Sequence, residues 1–274
     1  MLLSIFACLC LSLAGSTTGT LTNGTDDVIF TFVNRCTQDL WMGAQGMSNT
    51  RPSFVFNGIN FFVPNNGGWH LPAGATSQIS VPFDFSAGRF WARTGCTGTI
   101  NADFHCETGD CGPWIECATD NVPRGGAPPV TLAEFTLNAN NQDYFDISLV
   151  DGFNLPMTIH VVTYDDSQVN PDEYWCNSPE CLFDINSICP PELAVAGSSG
   201  TVACYSACMK FDTDEYCCRK PCCGLPETCT ADKWPVDYPH EIYEAHCPQA
   251  YSYAYDDNTS TFFCRNTNYD IYFC

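Results

Sequence analysis

Positive charge is scarce in this sequence: 10 Lys and Arg stand against 31 Asp and Glu, for a formal net charge of −21. A chain this acidic is repelled by nucleic-acid phosphates and by anionic membrane surfaces, which excludes both as partners held by charge. Neutral polymers such as polysaccharides, or cationic partners, remain compatible; the plain alternative is that acidity only keeps an exported protein in solution. Long apolar runs are missing as well, save one at the start. MLLSIFACLCLSLAGSTTG carries no charged side chain and is apolar from Leu2 to about Ala14. That run is too short to span a bilayer and small residues follow it, so residues 1–19 are expected to be a secretory signal cut between Ser16 and Gly19. The remainder is expected to be extracellular and monomeric, with no stable membrane insertion, no nucleic-acid partner and no cofactor.

The redox motif C-x-x-C is absent, and so are the paired knuckles of a zinc site; only His105 and His246 sit beside a cysteine. Cysteine itself is abundant. Of 20 in the chain, Cys8 and Cys10 fall in the signal, leaving an even 18 for the exported part. In an oxidising compartment that number reads as a framework of up to nine disulfides. CETGDCGPWIEC, residues 106–117, is then one corner of the framework rather than a metal or redox site. Each closed loop removes roughly 2–4 kcal/mol of denatured-state freedom in the chain-entropy model.

Helical periodicity is also hard to find before residue 200. DVIFTFVNR (27–35), GRFWARTGC (88–96) and the run from Tyr144 to Tyr164 are rich in β-branched and aromatic residues and read as strands. Gly, Pro and Asn punctuate the chain between them, as in PNNGG (64–68) and PRGGAPP (123–129), which argues for an all-β sandwich or barrel. Composition changes after about residue 170. Eleven cysteines lie between Cys176 and Cys247 among many prolines and few apolar runs, so 171–249 is expected to be a disulfide-rich loop region stapled onto a sandwich built from 27–170 and 250–274. A short helix is expected near Ser206–Phe211 or Tyr238–Ala245. The final segment returns to strand-like alternation, and its terminal Cys274 suggests a tie to an early strand through Cys36. Two sequons, Asn23-Gly-Thr and Asn258-Thr-Ser, are candidate N-glycosylation sites.

Several segments together resemble the thaumatin-like family. Its signature is met here by Phe104, Cys106, Thr108, Gly109, Asp110, Cys111 and Cys117, with Ala102 where the pattern has Gly. RFWARTGC (89–96), TLAEFTL (131–137), DISLVDGFNLPM (146–157), YCC (216–218) and AYSYAYDD (250–257) follow in family order. The resemblance implies a sandwich of about eleven strands with disulfide-rich loops beside it and a cleft between. It also implies the pairings Cys36–Cys274, Cys96–Cys106, Cys111–Cys117, Cys176–Cys264, Cys181–Cys247, Cys189–Cys204 and Cys208–Cys217. Within CCRKPCCGLPETC two arrangements stay open: Cys218–Cys223 with Cys222–Cys229, or Cys218–Cys229 with a vicinal Cys222–Cys223.

The family's acidic cleft maps onto Arg89, Glu134, Asp146, Asp151 and either Asp256 or Asp257. Each has a plain structural reading too: Arg89 as a surface cation, Asp151 as the cap of its Asp-Gly turn, Asp257 as the cap of the NTST stretch. Asp146 and Asp151 have opposite parity along a strand, so they can share a face only if the strand ends between them, where Asp151-Gly152 supplies a turn. Clustered carboxylates raise one another's pKa while an arginine keeps one ionised. Such a cleft can accept hydrogen bonds from sugar hydroxyls. It can also hydrolyse glycosides, with Glu134 as general acid and Asp151 or Asp146 as nucleophile or base. The resemblance therefore implies a secreted defence protein that binds fungal β-1,3-glucan, with a weak endo-β-1,3-glucanase as the enzymatic alternative and an inert disulfide-stapled scaffold as the third.

Overall fold

A computed structural model describes residues 27–162 and 170–274. The expected signal, Cys8, Cys10, Asn23 and the last two residues of the Tyr144–Tyr164 run lie outside the described residues. The first strand, Val28–Asn34, shows how the fold begins. Its sequence VIFTFVN alternates strictly between buried and half-buried positions, so one face enters the core while the other is left to water. Phe30 and Phe32 are fully buried by that alternation. Phe30 stacks on Tyr269 and meets Phe135 edge-on at a 4.7 Å ring separation, a geometry aromatic pairs prefer.

Two sheets enclose this core. A five-stranded sheet runs in the order Glu180–Cys181, Met157–Val161, Tyr269–Phe273, Val28–Asn34, Thr76–Val81. The facing sheet has nine strands. Its spine is Gln142–Ser148, Leu132–Ala139, Ser86–Arg93 and Leu40–Met47 in adjacent positions. The sandwich thus has more strands than the eleven or so expected, because segments of two to four residues, such as Gly68–Leu71 and Phe262–Cys264, also pair. Short pieces of this kind carry too few residues for alternation to mark them.

Val28–Asn34 runs parallel to Tyr269–Phe273, and the Cys36–Cys274 disulfide closes the end of that pairing. A polar pair sits inside the apolar layer, where the Tyr269 hydroxyl donates to Asp143 at 2.9 Å and the Asn138 backbone N–H satisfies its other oxygen.

The structure pairs Cys96–Cys106, Cys111–Cys117, Cys176–Cys264, Cys181–Cys247, Cys189–Cys204 and Cys208–Cys217. Of the two arrangements left open, it has Cys218–Cys229 with the vicinal Cys222–Cys223. Between Cys176 and Cys247 the chain forms the ribbon Ala194–Gly197 with Gly200–Cys204, a helix Ala207–Phe211 capped by the Ser206 hydroxyl, and a π-helical turn Pro239–Glu244. Both helical positions left as alternatives by the sequence are therefore occupied. This segment also buries Tyr216, Trp234 and Tyr243 against the sandwich, so it packs as well as staples.

Candidate functional site

The candidate site is a row of side chains running across the nine-stranded sheet. Glu134 is directly opposite Arg89 on one side and Asp146 on the other. Residues directly opposite in antiparallel strands project to the same face with Cβ atoms about 5 Å apart, so the register places three charges in a line. Their neighbours in sequence, Phe90, Ala133, Phe135, Phe145 and Ile147, point the other way and are buried in the core. A one-residue slip in any of these strands would bury a charge and expose a core residue, so the core specifies the alignment of the site.

Asp151 joins the row from beyond the strand end. Gln142–Ser148 stops at Ser148, and the chain turns through Gly152 at φ 105°. A Cβ on Gly152 would lie 2.5 Å from the Cys204 carbonyl oxygen, so only glycine fits there. Phe153 and Cys204 exchange backbone hydrogen bonds of 2.8 Å in both directions, which pins the turn to the disulfide-rich segment.

Arg89, Glu134, Asp146, Ser148, Asp151 and Tyr251 line one cavity of about 340 Å³. Arg89 Nε lies 2.8 Å from Glu134 Oε1. Burial pushes the Glu134 carboxyl above its ordinary value and Asp151 adds to the effect, while Arg89 and a hydrogen bond with Ser148 pull it back. Asp151 is raised by burial against the same opposing pull of Arg89. Asp146 is pushed well up, by burial first and then by the charges of Glu134 and Asp257. Its Oδ1 is buried without a hydrogen-bond partner among the described residues. A buried, unpaired carboxylate oxygen is costly, and the residue that carries it lines a cavity open to ligand hydroxyls.

Neither Asp256 nor Asp257 lines this cavity, and the two differ in their partners. Asp256 is buried and takes hydrogen bonds from the Ser252 backbone N–H and hydroxyl and from the Thr259 hydroxyl, at 2.8–2.9 Å. It closes the local turn and is not on the cavity wall. Asp256 holds the N-cap position of the Asp257–Ser260 helix without a side-chain capping bond, whereas the plain reading gave that position to Asp257. Asp257 is exposed and accepts a 2.8 Å hydrogen bond from the Tyr251 hydroxyl, which also touches Thr261. It lines an adjoining cavity together with Asn258, the described sequon residue, which is exposed.

Sequence reasoning did not mark Ser148 or Tyr251. Ser148 was legible in principle, standing two residues from Asp146 and so on the same face. Tyr251 reaches the cavity through a parallel pairing with Ser148, which no local pattern announces.

The thaumatin family model matches residues 34–274. Pathogenesis-related protein 5 of Arabidopsis thaliana is 42% identical over 246 residues, 89% of either chain. A protein of Prunus avium named glucan endo-1,3-beta-glucosidase is 39% identical over 254 residues, 92% of either chain. Among solved structures, a GH family 64 laminaripentaose-producing β-1,3-glucanase from Paenibacillus barengoltzii, complexed with laminarihexaose, overlays with a TM-score of 0.56. It is 12% identical and the match covers 93% of this chain and 76% of that one, so the likeness speaks to the fold alone.

Proposed function

This chain belongs to the thaumatin family, and from that membership we propose that its acidic cleft binds β-1,3-glucan of fungal walls, in a secreted defence protein. The observation that carries the reading is Asp146, which lines a carboxylate-rich cavity and whose buried Oδ1 has no hydrogen-bond partner among the described residues. Hydroxyl donors are what such a group needs, and a neutral glucan supplies them without adding charge to an acidic site. Several relatives are named as pathogenesis-related proteins, which supports the defence role. The abundance of disulfides is consistent with an extracellular setting.

The enzymatic alternative has one observation in its favour. Burial raises the pKa of two facing carboxylates, Glu134 and Asp146, and more so that of Asp146, so one of the pair is suited to holding a proton as a general acid must. Against Glu134 as that acid stands its ion pair with Arg89, which favours the ionised form and offsets part of the rise. Hydrolysis therefore asks Asp146 to carry the proton, a different allocation from the one the sequence suggests. Binding places no such demand and is the stronger reading.

Retention on insoluble β-1,3-glucan and release of reducing ends from laminarin, run side by side, test both. Wild type is expected to bind, and Glu134→Gln to bind about tenfold more weakly as one charged acceptor is lost. Asp151→Asn is expected to weaken binding in the same direction. Release of sugar abolished by Asp146→Asn would move the conclusion to hydrolysis. Absence of both retention and release would sink both readings.

A further inference from the structure

A second cavity, of about 650 Å³, adjoins the first and is lined by Tyr144, Tyr174, Phe263, Asp172, Glu173 and Asp257 among others. The two are joined in two ways. Tyr144, Asp146 and Ser148 alternate along one strand and so share a face, with Tyr144 in the second cavity and the other two in the first. Tyr251 lines the first cavity while its hydroxyl bonds to Asp257 and Thr261, both on the wall of the second. From Tyr144 to Ser148 the strand advances roughly 13 Å, more than one hexose ring occupies.

The walls of the second cavity are aromatic and held in place. Tyr144 and Phe263 are cross-strand neighbours with ring centroids 6.3 Å apart. The Phe263 N–H donates to the Tyr174 carbonyl, and the Cys176–Cys264 disulfide clamps the two segments at the adjacent residues. Among the described residues, no Lys, Arg or His is on this wall. Anionic sugars are thus disfavoured, whereas a neutral pyranose can lay a C–H face on the rings and turn its hydroxyls to Asp172, Glu173 and Asp257.

We propose that this aromatic cavity is a second subsite that takes the distal units of the same glucan chain held in the acidic cleft, so that the protein selects for long chains. The inference rests on the glucan-binding reading above. It carries a further consequence: Asn258 lies on the same wall, so an N-glycan attached there would occupy the subsite and the two are mutually exclusive.

The test is the affinity of β-1,3-linked glucose oligomers from three to six units, measured by calorimetry for wild type, Asn258→Gln, Tyr144→Ala and Asp172→Asn. In Asn258→Gln the hexamer is expected to bind about tenfold more tightly than the trimer, one well-formed stacking contact's worth. Wild type is expected to match it when unglycosylated and to lose the difference when the glycan is present. Tyr144→Ala should erase the gain with length, and Asp172→Asn, an exposed change that keeps the Oδ1 acceptor for the Tyr174 N–H, should halve it or more. Equal trimer and hexamer affinities in Asn258→Gln would overturn the subsite while leaving the cleft reading standing. Failure of every length to bind would remove the cleft reading first and the subsite with it.

Discussion

Arg93→Met is expected to lower the melting temperature by roughly 6–20 °C, the consequence of losing about 3–5 kcal/mol from a domain of this size. Arg93 is completely buried, and among the described residues it makes no ion pair within salt-bridge distance. Carbonyl oxygens surround it instead: Trp41 at 3.3 Å, Met42 at 3.3 Å, Trp114 at 3.0 Å, and Ile115. Burial lowers its pKa to about 10, with Asp110 and Glu116 opposing, so the guanidinium stays charged at neutral pH. Two of the carbonyls belong to the strand Leu40–Met47 and two to the loop 112–116 closed by Cys111–Cys117. The arginine is therefore the hub against which the loop closes. Methionine fills much of the volume but takes the donors away from the Trp114 and Ile115 carbonyls that anchor the loop, at about 1–3 kcal/mol each. Arg93→Lys retains the charge but not the planar fork, and is expected to recover less than half of the loss. Calorimetry decides it. A Met variant melting within two degrees of wild type would mean that the disulfide alone holds the loop.

CETGDCGPWIEC shows what sequence can and cannot disclose. Its cysteine count and the absence of knuckle spacing point correctly to a staple, because those are properties of the string. That its carbonyls converge on Arg93 depends on two segments meeting across the sheet, and Arg93 in RFWARTGC looks like any strand arginine until they do. Gly68 is a second case. A Cβ there would stand 2.0 Å from the Ile115 carbonyl, a close approach between segments far apart in sequence. The acidic row was more accessible. The parity of Asp146 and Asp151 demanded a break between them, and the Asp-Gly dipeptide marked where it falls. Asp256 and Asp257 could not be told apart, since adjacent residues differ in direction only once the helical turn they enter is known.

The vicinal pair in CCRKPCCG was undecidable from spacing for a similar reason. Both arrangements close short loops, so loop length does not discriminate between them. Strand number was underestimated because pairing, not composition, makes strands of two or three residues. The long strands, whose alternation the core enforces, were legible; the short ones exist by virtue of their neighbours.

Asp146→Asn is expected to stabilise the fold and weaken the cleft at once. Asp146, Glu134, Asp151 and Asp143 all hold a proton more tightly folded than unfolded, in each case chiefly through burial. Their contribution to stability is complete below the ordinary carboxylate value of about 4 and is lost as pH rises through the raised native values. Asp84 works in the opposite sense over a lower window: burial raises it, but hydrogen bonds from Ser48, Thr50 and Asn49 outweigh burial and hold it down, so its contribution fades as pH falls. The wild-type melting temperature should accordingly be higher at pH 4.5 than at pH 8.

At pH 8, where the ionised form is most populated, the amide removes a carboxylate that faces Glu134 and whose buried oxygen has no partner among the described residues, a gain of about 1–3 kcal/mol. A gain of that size raises the melting temperature by about 2–4 °C per kcal/mol. The gain should shrink at pH 4.5, where protonation has already relieved the strain. Asp120→Asn, on an exposed turn, removes the same charge from the chain as a whole and separates this effect from relief of general repulsion. Glucan retention should fall by tenfold or more in Asp146→Asn and stay unchanged in Asp120→Asn. A carboxylate that costs stability where it stands, and whose removal costs binding, is kept for its ligand. If Asp146→Asn instead melts lower than wild type at pH 8, Asp146 is a structural anchor of the sheet, and the cleft must draw its acceptors from Glu134 and Asp151 alone.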